Sequence, residues 1–211
     1  MSSPRSRVLA LHGVATDPSI WHGLADLLPE MEVHAPQRGC TGDLETEIAA
    51  LADLAEGAWV IGQSGGATLG LALAARVRMA GALLHEPAVG SLLPGLLAPV
   101  RAAFEEAGSA GFAAALYGPT WVRPAELDDA VTARELAMFA GFEPAAPRDD
   151  AGPVLVTYGA DSPAVRRDAA EALRTAYAVA VEELPGTGHD VAHLNLHGLA
   201  DRLRRLVATG S

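Results

Sequence analysis

The chain contains no lysine: all 15 basic residues among its 211 are arginine. That removes Schiff-base enzymes, pyridoxal-phosphate enzymes and the phosphate-gripping lysine of a P-loop. Cysteine is nearly absent as well. Cys40 stands alone, so an internal disulfide is ruled out and a reducing cytoplasm fits. Positive charge is scarce, with a formal net charge of -11. This argues against nucleic acid and against anionic membrane surfaces, both of which require basic patches. It also gives no help in holding polyanionic substrates. No apolar run is long and uninterrupted enough to span a bilayer. Met1 to Arg7 is short, polar and leads straight into a strand-like run, so no signal peptide is expected. The expectation is a cytoplasmic protein with neither membrane nor nucleic-acid partners. Abundant Ala, Arg and Gly fit a GC-rich bacterial genome.

What is present is apolar and periodic. Hydrophobic residues make up 50% of the chain, and its length suits one domain, residues 1–211, with a full core. Short apolar runs read as strands at Arg7 to His12, Met31 to Ala35, Ala58 to Gln63, Ala80 to His85, Val154 to Tyr158 and Ala178 to Leu184. Helical spacing occupies the gaps between them. Asp17-Pro18 opens one helix, with Asp17 as its N-cap. Asp43 to Ala55 is a second, Gly65 to Arg78 a third, Pro163 to Tyr177 a fourth, and about Ala192 to Ala208 the last. Strands alternating with helices predict an α/β fold: a mostly parallel sheet of about six strands flanked by helices on both faces. A ligand site is then expected beyond the carboxyl ends of the strands.

Residues 87–153 break the alternation. They read as helices only, at Leu92 to Ala107, Ala110 to Tyr117 and Pro124 to Phe139. Every phenylalanine of the chain lies there, together with Tyr117 and Trp121. Two long crossover helices would explain the pattern. An inserted helical cap over the site explains it better, because it would exclude water and build an apolar acyl or ring pocket.

One short stretch, Val60-Ile61-Gly62-Gln63-Ser64-Gly65-Gly66, turns from strand to helix around a serine fenced by glycines. A glycine-rich turn is the plain reading. The pattern is also that of a nucleophile elbow, in which a strained backbone pushes the hydroxyl outward and small residues let strand and helix approach. A serine needs a base within hydrogen-bond reach, and the base needs an orienting carboxylate. Two other strand ends offer them: Tyr158-Gly159-Ala160-Asp161 and Gly186-Thr187-Gly188-His189. Ser162, just before Pro163, is expected to cap the helix there, which would leave Asp161 free. Asp190 is expected to point elsewhere, either supporting the site from behind or facing solvent. The oxyanion of acyl transfer needs two aimed N–H groups. The Gly65 N–H, at a helix start, and the Val14 N–H, after the first strand, are the candidates.

Taken together the chain resembles the α/β-hydrolase superfamily. The matching pieces are Leu11-His12-Gly13 with Trp21 downstream, Ala35-Pro36-Gln37-Arg38-Gly39, Gly62-Gln63-Ser64-Gly65-Gly66, Leu84-His85-Glu86-Pro87, Tyr158-Gly159-Ala160-Asp161 and Gly186-Thr187-Gly188-His189. They follow the family's order over nearly the whole chain. The resemblance implies Ser64 as nucleophile, His189 as base, Asp161 as its orienter, Val14 and Gly65 as oxyanion donors, and a cap at 87–153. The first strand looks like the family's third, so the leading hairpin is missing. Glu86 sits where some members carry their acid and is the second choice to Asp161.

The resulting expectation is a serine hydrolase, monomeric or homodimeric, cleaving an ester, thioester or lactone of a small apolar substrate without cofactor or metal. Lyase, cyclase, carbon–carbon hydrolase or perhydrolase chemistry, or a non-catalytic receptor, stays open on the same fold. His189, His193 and His197 recur at helical spacing, but Gly186 to Gly188 put His189 in a loop before the helix. A metal site is therefore not expected. His12 and His85 are expected to be local structural partners.

Overall fold

The computed structural model describes residues 5–209; 1–4, within the polar lead-in, and 210–211 lie outside that range. The chain runs β1 (Ser6–Leu11), a 3-10 turn at Pro18–Trp21, α1 (Leu24–Leu27), β2 (Met31–His34), α2 (Leu44–Ala55), β3 (Trp59–Gln63), α3 (Gly65–Ala74), β4 (Gly81–His85), α4 (Ala98–Leu116), α5 (Asp129–Ala140), β5 (Val154–Gly159), α6 (Ala164–Tyr177), β6 (Ala180–Leu184), α7 (Val191–Leu194) and α8 (Leu196–Thr209). The strands form one six-stranded sheet in the order β2-β1-β3-β4-β5-β6. Every pairing is parallel.

β3 and β4 are buried along their whole length, which is why they read as unbroken apolar runs rather than alternating ones. Successive side chains still point to opposite faces. Leu9, Leu11, Val60, Leu84 and Val156 pack on one side with residues of α2, α3 and α6. Val8, Ala10, Ile61, Leu83 and Leu155 pack on the other with Leu24, Leu199 and Leu203. Two cores, one per face, hold the sheet between its helices.

Helix ends follow local chemistry. Asp17 accepts from the Ser19 N–H, Asp43 from Thr46 and Asp128 from Val131. The helix expected from Leu92 starts only at Ala98. Pro94 disfavours helix at Leu93 (φ -143°, ψ 82°), and Gly95 turns with φ 86°. The expected break after Ala107 is present as a kink at Ala107 and Gly108 within α4. The last helix is split at Asn195, whose side chain caps the Gly198 N–H at 3.0 Å. Ser162, expected to cap α6, does not. Its hydroxyl is buried with no hydrogen-bond partner, and α6 has no side-chain cap.

The chain passes from β1 outward to β2, then back across to β3 on the other side of β1. This reversal opens a crevice at the carboxyl ends of β1 and β3. Residues 87–153 contribute no strand; α4 and α5 lie there. Among the described residues no helix is long and apolar enough to cross a membrane.

Candidate active site

Ser64 sits between β3 and α3 with φ 57° and ψ -122°, a conformation that L-residues avoid. Two glycines make it sterically feasible. A Cβ on Gly62 would lie 2.6 Å from the Gly66 carbonyl, and one on Gly66 would fall onto the Leu11 carbonyl. Strand and helix therefore meet almost backbone to backbone, and the turn between them has no slack. Gly65 is the first residue of α3, so helix geometry leaves its N–H without an internal partner. Val14 lies beside it: a Cβ on Gly65 would be 3.1 Å from Val14 Cγ2.

His189 lies after β6, buried, with its Nδ1 2.6 Å from Glu86 Oε2. Its Nε2 is buried and has no hydrogen-bond partner. The carboxylate that reaches the histidine is therefore Glu86. Asp161, the expected orienter, does not reach it. The Asp161 N–H donates to the Thr187 carbonyl at 2.9 Å and the Ala160 N–H to Leu184. This pairing extends the β5–β6 edge and turns the Asp161 side chain out to an exposed position. Glu86 takes the opposite course. It leaves β4 with φ 49°, and its Oε1 accepts the Gly159 N–H at 2.9 Å. Its carboxylate thus crosses the end of β5 to meet the β6 loop. His85 draws that loop inward, its Nε2 lying 3.1 Å from the Gly188 carbonyl. The signal in the sequence was present: an acidic residue just after a strand that is apolar up to His85, followed by proline.

Burial would push the Glu86 carboxyl up, but the His189 hydrogen bond and the neighbouring His and Arg166 charges hold it well below the usual range. His189 moves down, through burial first and then the Arg166 charge, against the Glu86 contact. The pair is a neutral imidazole held by an ionised carboxylate. Burial also lowers His12 strongly and takes His85 to about 4. Both are neutral structural partners, of the Gly13 carbonyl and of Thr157 Oγ1 respectively. Burial pushes the Cys40 thiol up to about 12, which leaves it a poor nucleophile.

Asp190, next to His189, is buried rather than exposed. Its carboxylate bonds Gln63 Nε2 at 3.2 Å, Thr120 Oγ1 at 2.7 Å and His193 Nδ1 at 3.1 Å. It joins the elbow, the histidine loop and the helical segment. His193 and His197 are exposed. Among the described residues no group of His, Cys, Asp and Glu has the geometry of a metal site.

Three residues carry contacts that the sequence did not announce. Tyr117 Oη donates to the Val14 carbonyl at 2.8 Å, and its ring lies 5.6 Å from that of His189. Arg38, fully buried, donates to the His12 and Gly13 carbonyls at 3.0 Å each and pairs with Glu135 of α5 at 2.7 Å. Arg166, in the first turn of α6, lies 3.6 Å from Glu86. A cation is unfavourable at that end of a helix dipole, and this anomaly is the only hint a sequence could offer. Ser64, Gly65, Val14 and Arg166 line one cavity of about 20 Å³ whose other walls include Phe112, Leu116 and Phe139. That is room for little more than one water.

A serine on a strained strand-to-helix elbow, above a parallel sheet whose later strand ends deliver a histidine–carboxylate pair, defines a class of α/β enzyme fold. The sequence model of the alpha/beta hydrolase family matches residues 8–202. The chain belongs to that family. No curated protein matches it. Among solved structures it resembles the enol-lactonase from Burkholderia xenovorans LB400, with 19% identity, 98% of this chain and 92% of that chain covered, and a TM-score of 0.69. It also resembles the carboxylesterase CesB from Bacillus subtilis (15%, 100% and 86%, TM-score 0.64). MenH from S. aureus is a third (14%, 99% and 96%, TM-score 0.68). At these identities the likeness is one of fold.

Proposed function

We propose that this protein is a serine hydrolase that cleaves an ester, thioester or lactone bond of a small molecule through an acyl-enzyme. One observation carries the reading: His189 is fixed through Nδ1 by Glu86, which lines the same cavity as Ser64 on its strained elbow, while His189 Nε2 is left without a partner. Ser64 attacks the carbonyl, and His189 Nε2 takes its proton. Glu86 holds the imidazole tautomer and stabilises the imidazolium that forms. The Val14 and Gly65 N–H groups face the oxyanion of the tetrahedral intermediate. His189 then protonates the leaving group, and later activates the water that releases the acid and restores Ser64. No metal or organic cofactor enters these steps. Residues 87–153 act as a cap that closes over the site. Tyr117, Thr120 and Trp121 tie it to the loops around Ser64 and His189, the last through a 2.8 Å bond from Nε1 to the Ala15 carbonyl.

Intact mass after treatment with a fluorophosphonate tests the reading. One adduct is expected on the wild type and none on Ser64→Ala or His189→Ala. A folded wild type that takes no adduct would refute an activated Ser64 and leave a ligand-binding role on this fold.

A further inference from the structure

Arg166 is out of place on electrostatic grounds. It is 7% exposed, it occupies the positive end of α6, and burial disfavours its charge. A buried guanidinium is retained only where its donors are satisfied. Its contact with Glu86 is made by Nε at 3.6 Å, longer than a hydrogen bond. Glu86 is already engaged by the Gly159 N–H through Oε1 and by His189 through Oε2. Among the described residues the Arg166 side chain makes no hydrogen bond, although a guanidinium carries five N–H donors in a planar fork. Arg166 lines the same cavity as Ser64 and Gly65. Thr68 and Glu86 share that wall with its apolar residues, but Thr68 Oγ1 is taken up by the Ser64 carbonyl and the Ala88 N–H and Glu86 by Gly159 and His189, so neither hydrogen-bonds the guanidinium.

We infer that Arg166 anchors a carboxylate of the substrate, so that the bond cleaved at Ser64 belongs to a short-chain acid carrying a second, ionised carboxyl group. A carboxylate matches the fork in two-point geometry. Ser64 and Arg166 face one cavity that holds little more than a water as it stands, so the spacer has few carbons and the side chains of Phe112, Leu116 and Phe139 must move apart to admit it. The apolar walls from Phe112, Leu116 and Phe139 suit its methylene groups. The inference rests on the proposed serine chemistry for the identity of the reacting bond. The anion site itself does not require that chemistry.

The test uses binding, so that it stands apart from turnover. Monomethyl succinate and methyl 4-methylpentanoate have the same shape, the second carrying an isopropyl group in place of the carboxylate. Each is titrated calorimetrically into Ser64→Ala protein, then into Ser64→Ala with Arg166→Met and with Arg166→Lys. The anionic ester is expected to bind about 10- to 100-fold more tightly than its neutral twin, the range of a charge-assisted hydrogen-bonded contact. Arg166→Met should abolish that preference and Arg166→Lys retain part of it. Equal binding of the two esters to Ser64→Ala, or a preference that survives Arg166→Met, would overturn the inference and reduce Arg166 to a counter-ion of Glu86. The comparison on Ser64→Ala alone decides the matter if the arginine variants fold poorly. Selective binding without hydrolysis by the wild type would sink the proposed function and leave the anion site standing.

Discussion

A single methylene-length difference separates the two acidic residues that compete for His189 in the sequence, and their backbones separate them far more. Glu86 leaves a central strand and is locked by Gly159 and His189; Asp161 ends a backbone-paired edge and faces solvent. Glu86→Gln should therefore lower kcat about 10³- to 10⁴-fold, the cost of losing the orienting carboxylate in a triad. Asp161→Asn should change it by no more than about 2-fold, as exposed substitutions do. Steady-state kinetics on any ester turned over by the wild type distinguishes them; the reverse result would restore Asp161. The pH profile belongs to this scale too. Burial and the Arg166 charge lower His189, so its neutral form persists below the ordinary histidine range. The acid limb of kcat/KM should lie below pH 6.5. Arg166→Met removes a repelling cation, and the limb should move to higher pH.

Elements meet at two places that decide the site. The first is the β3–α3 elbow against β1. A methyl on Gly66 would meet the Leu11 and His12 carbonyls, and backbone cannot step aside as a side chain can. Gly66→Ala should cost about 3 kcal/mol or more of stability, at the upper end of overpacking, read by chemical denaturation. The second is the join between α5 and the loop after β1. Arg38 holds that loop by two carbonyls and is itself neutralised by Glu135 of α5 and, at 3.7 Å, Glu47 of α2. Glu135→Ala leaves a buried guanidinium short of a partner and should destabilise by about 3 kcal/mol. A loss below about 0.5 kcal/mol, the scale of an exposed ion pair, would show that Glu47 alone suffices.

Across the whole molecule, buried neutral histidines make the fold sensitive to acid. His12, His85 and His189 all titrate lower in the folded state than in the unfolded chain. The unfolded state thus binds more protons as the pH falls. Their contribution is complete above pH 6.5 and is lost as the pH drops through the folded values. For His85, shifted from 6.5 to about 4, that loss is on the order of 3 kcal/mol. Unfolding free energy measured from pH 7 down to pH 4 should fall accordingly, and His85→Gln should flatten the slope. Glu86, depressed like the histidines, adds a loss only below the ordinary glutamate range.

The sequence by itself determined the sheet and the glycine-flanked turn at Ser64, and it marked Ser64 and His189 as candidates. The short apolar runs Trp59-Val60-Ile61 and Ala82-Leu83-Leu84, bounded by glycine, mark buried strands, and Gly62 and Gly66 around Ser64 permit a close strand–helix approach. Such signals are local, carried by residues within a few positions of one another. Helix limits were less legible where proline or a backbone kink intervened, as at Leu93 and Asn195. Which carboxylate reaches His189 was decided by tertiary structure alone. It depends on the path of three loops over neighbouring strand ends: Glu86 reaching across β5, His85 drawing in Gly188, and Thr187 pairing with the Asp161 backbone. The same holds for Arg166 and Arg38. A buried arginine and an exposed one look alike in sequence, and only the packing around the side chain fixes what its charge must meet.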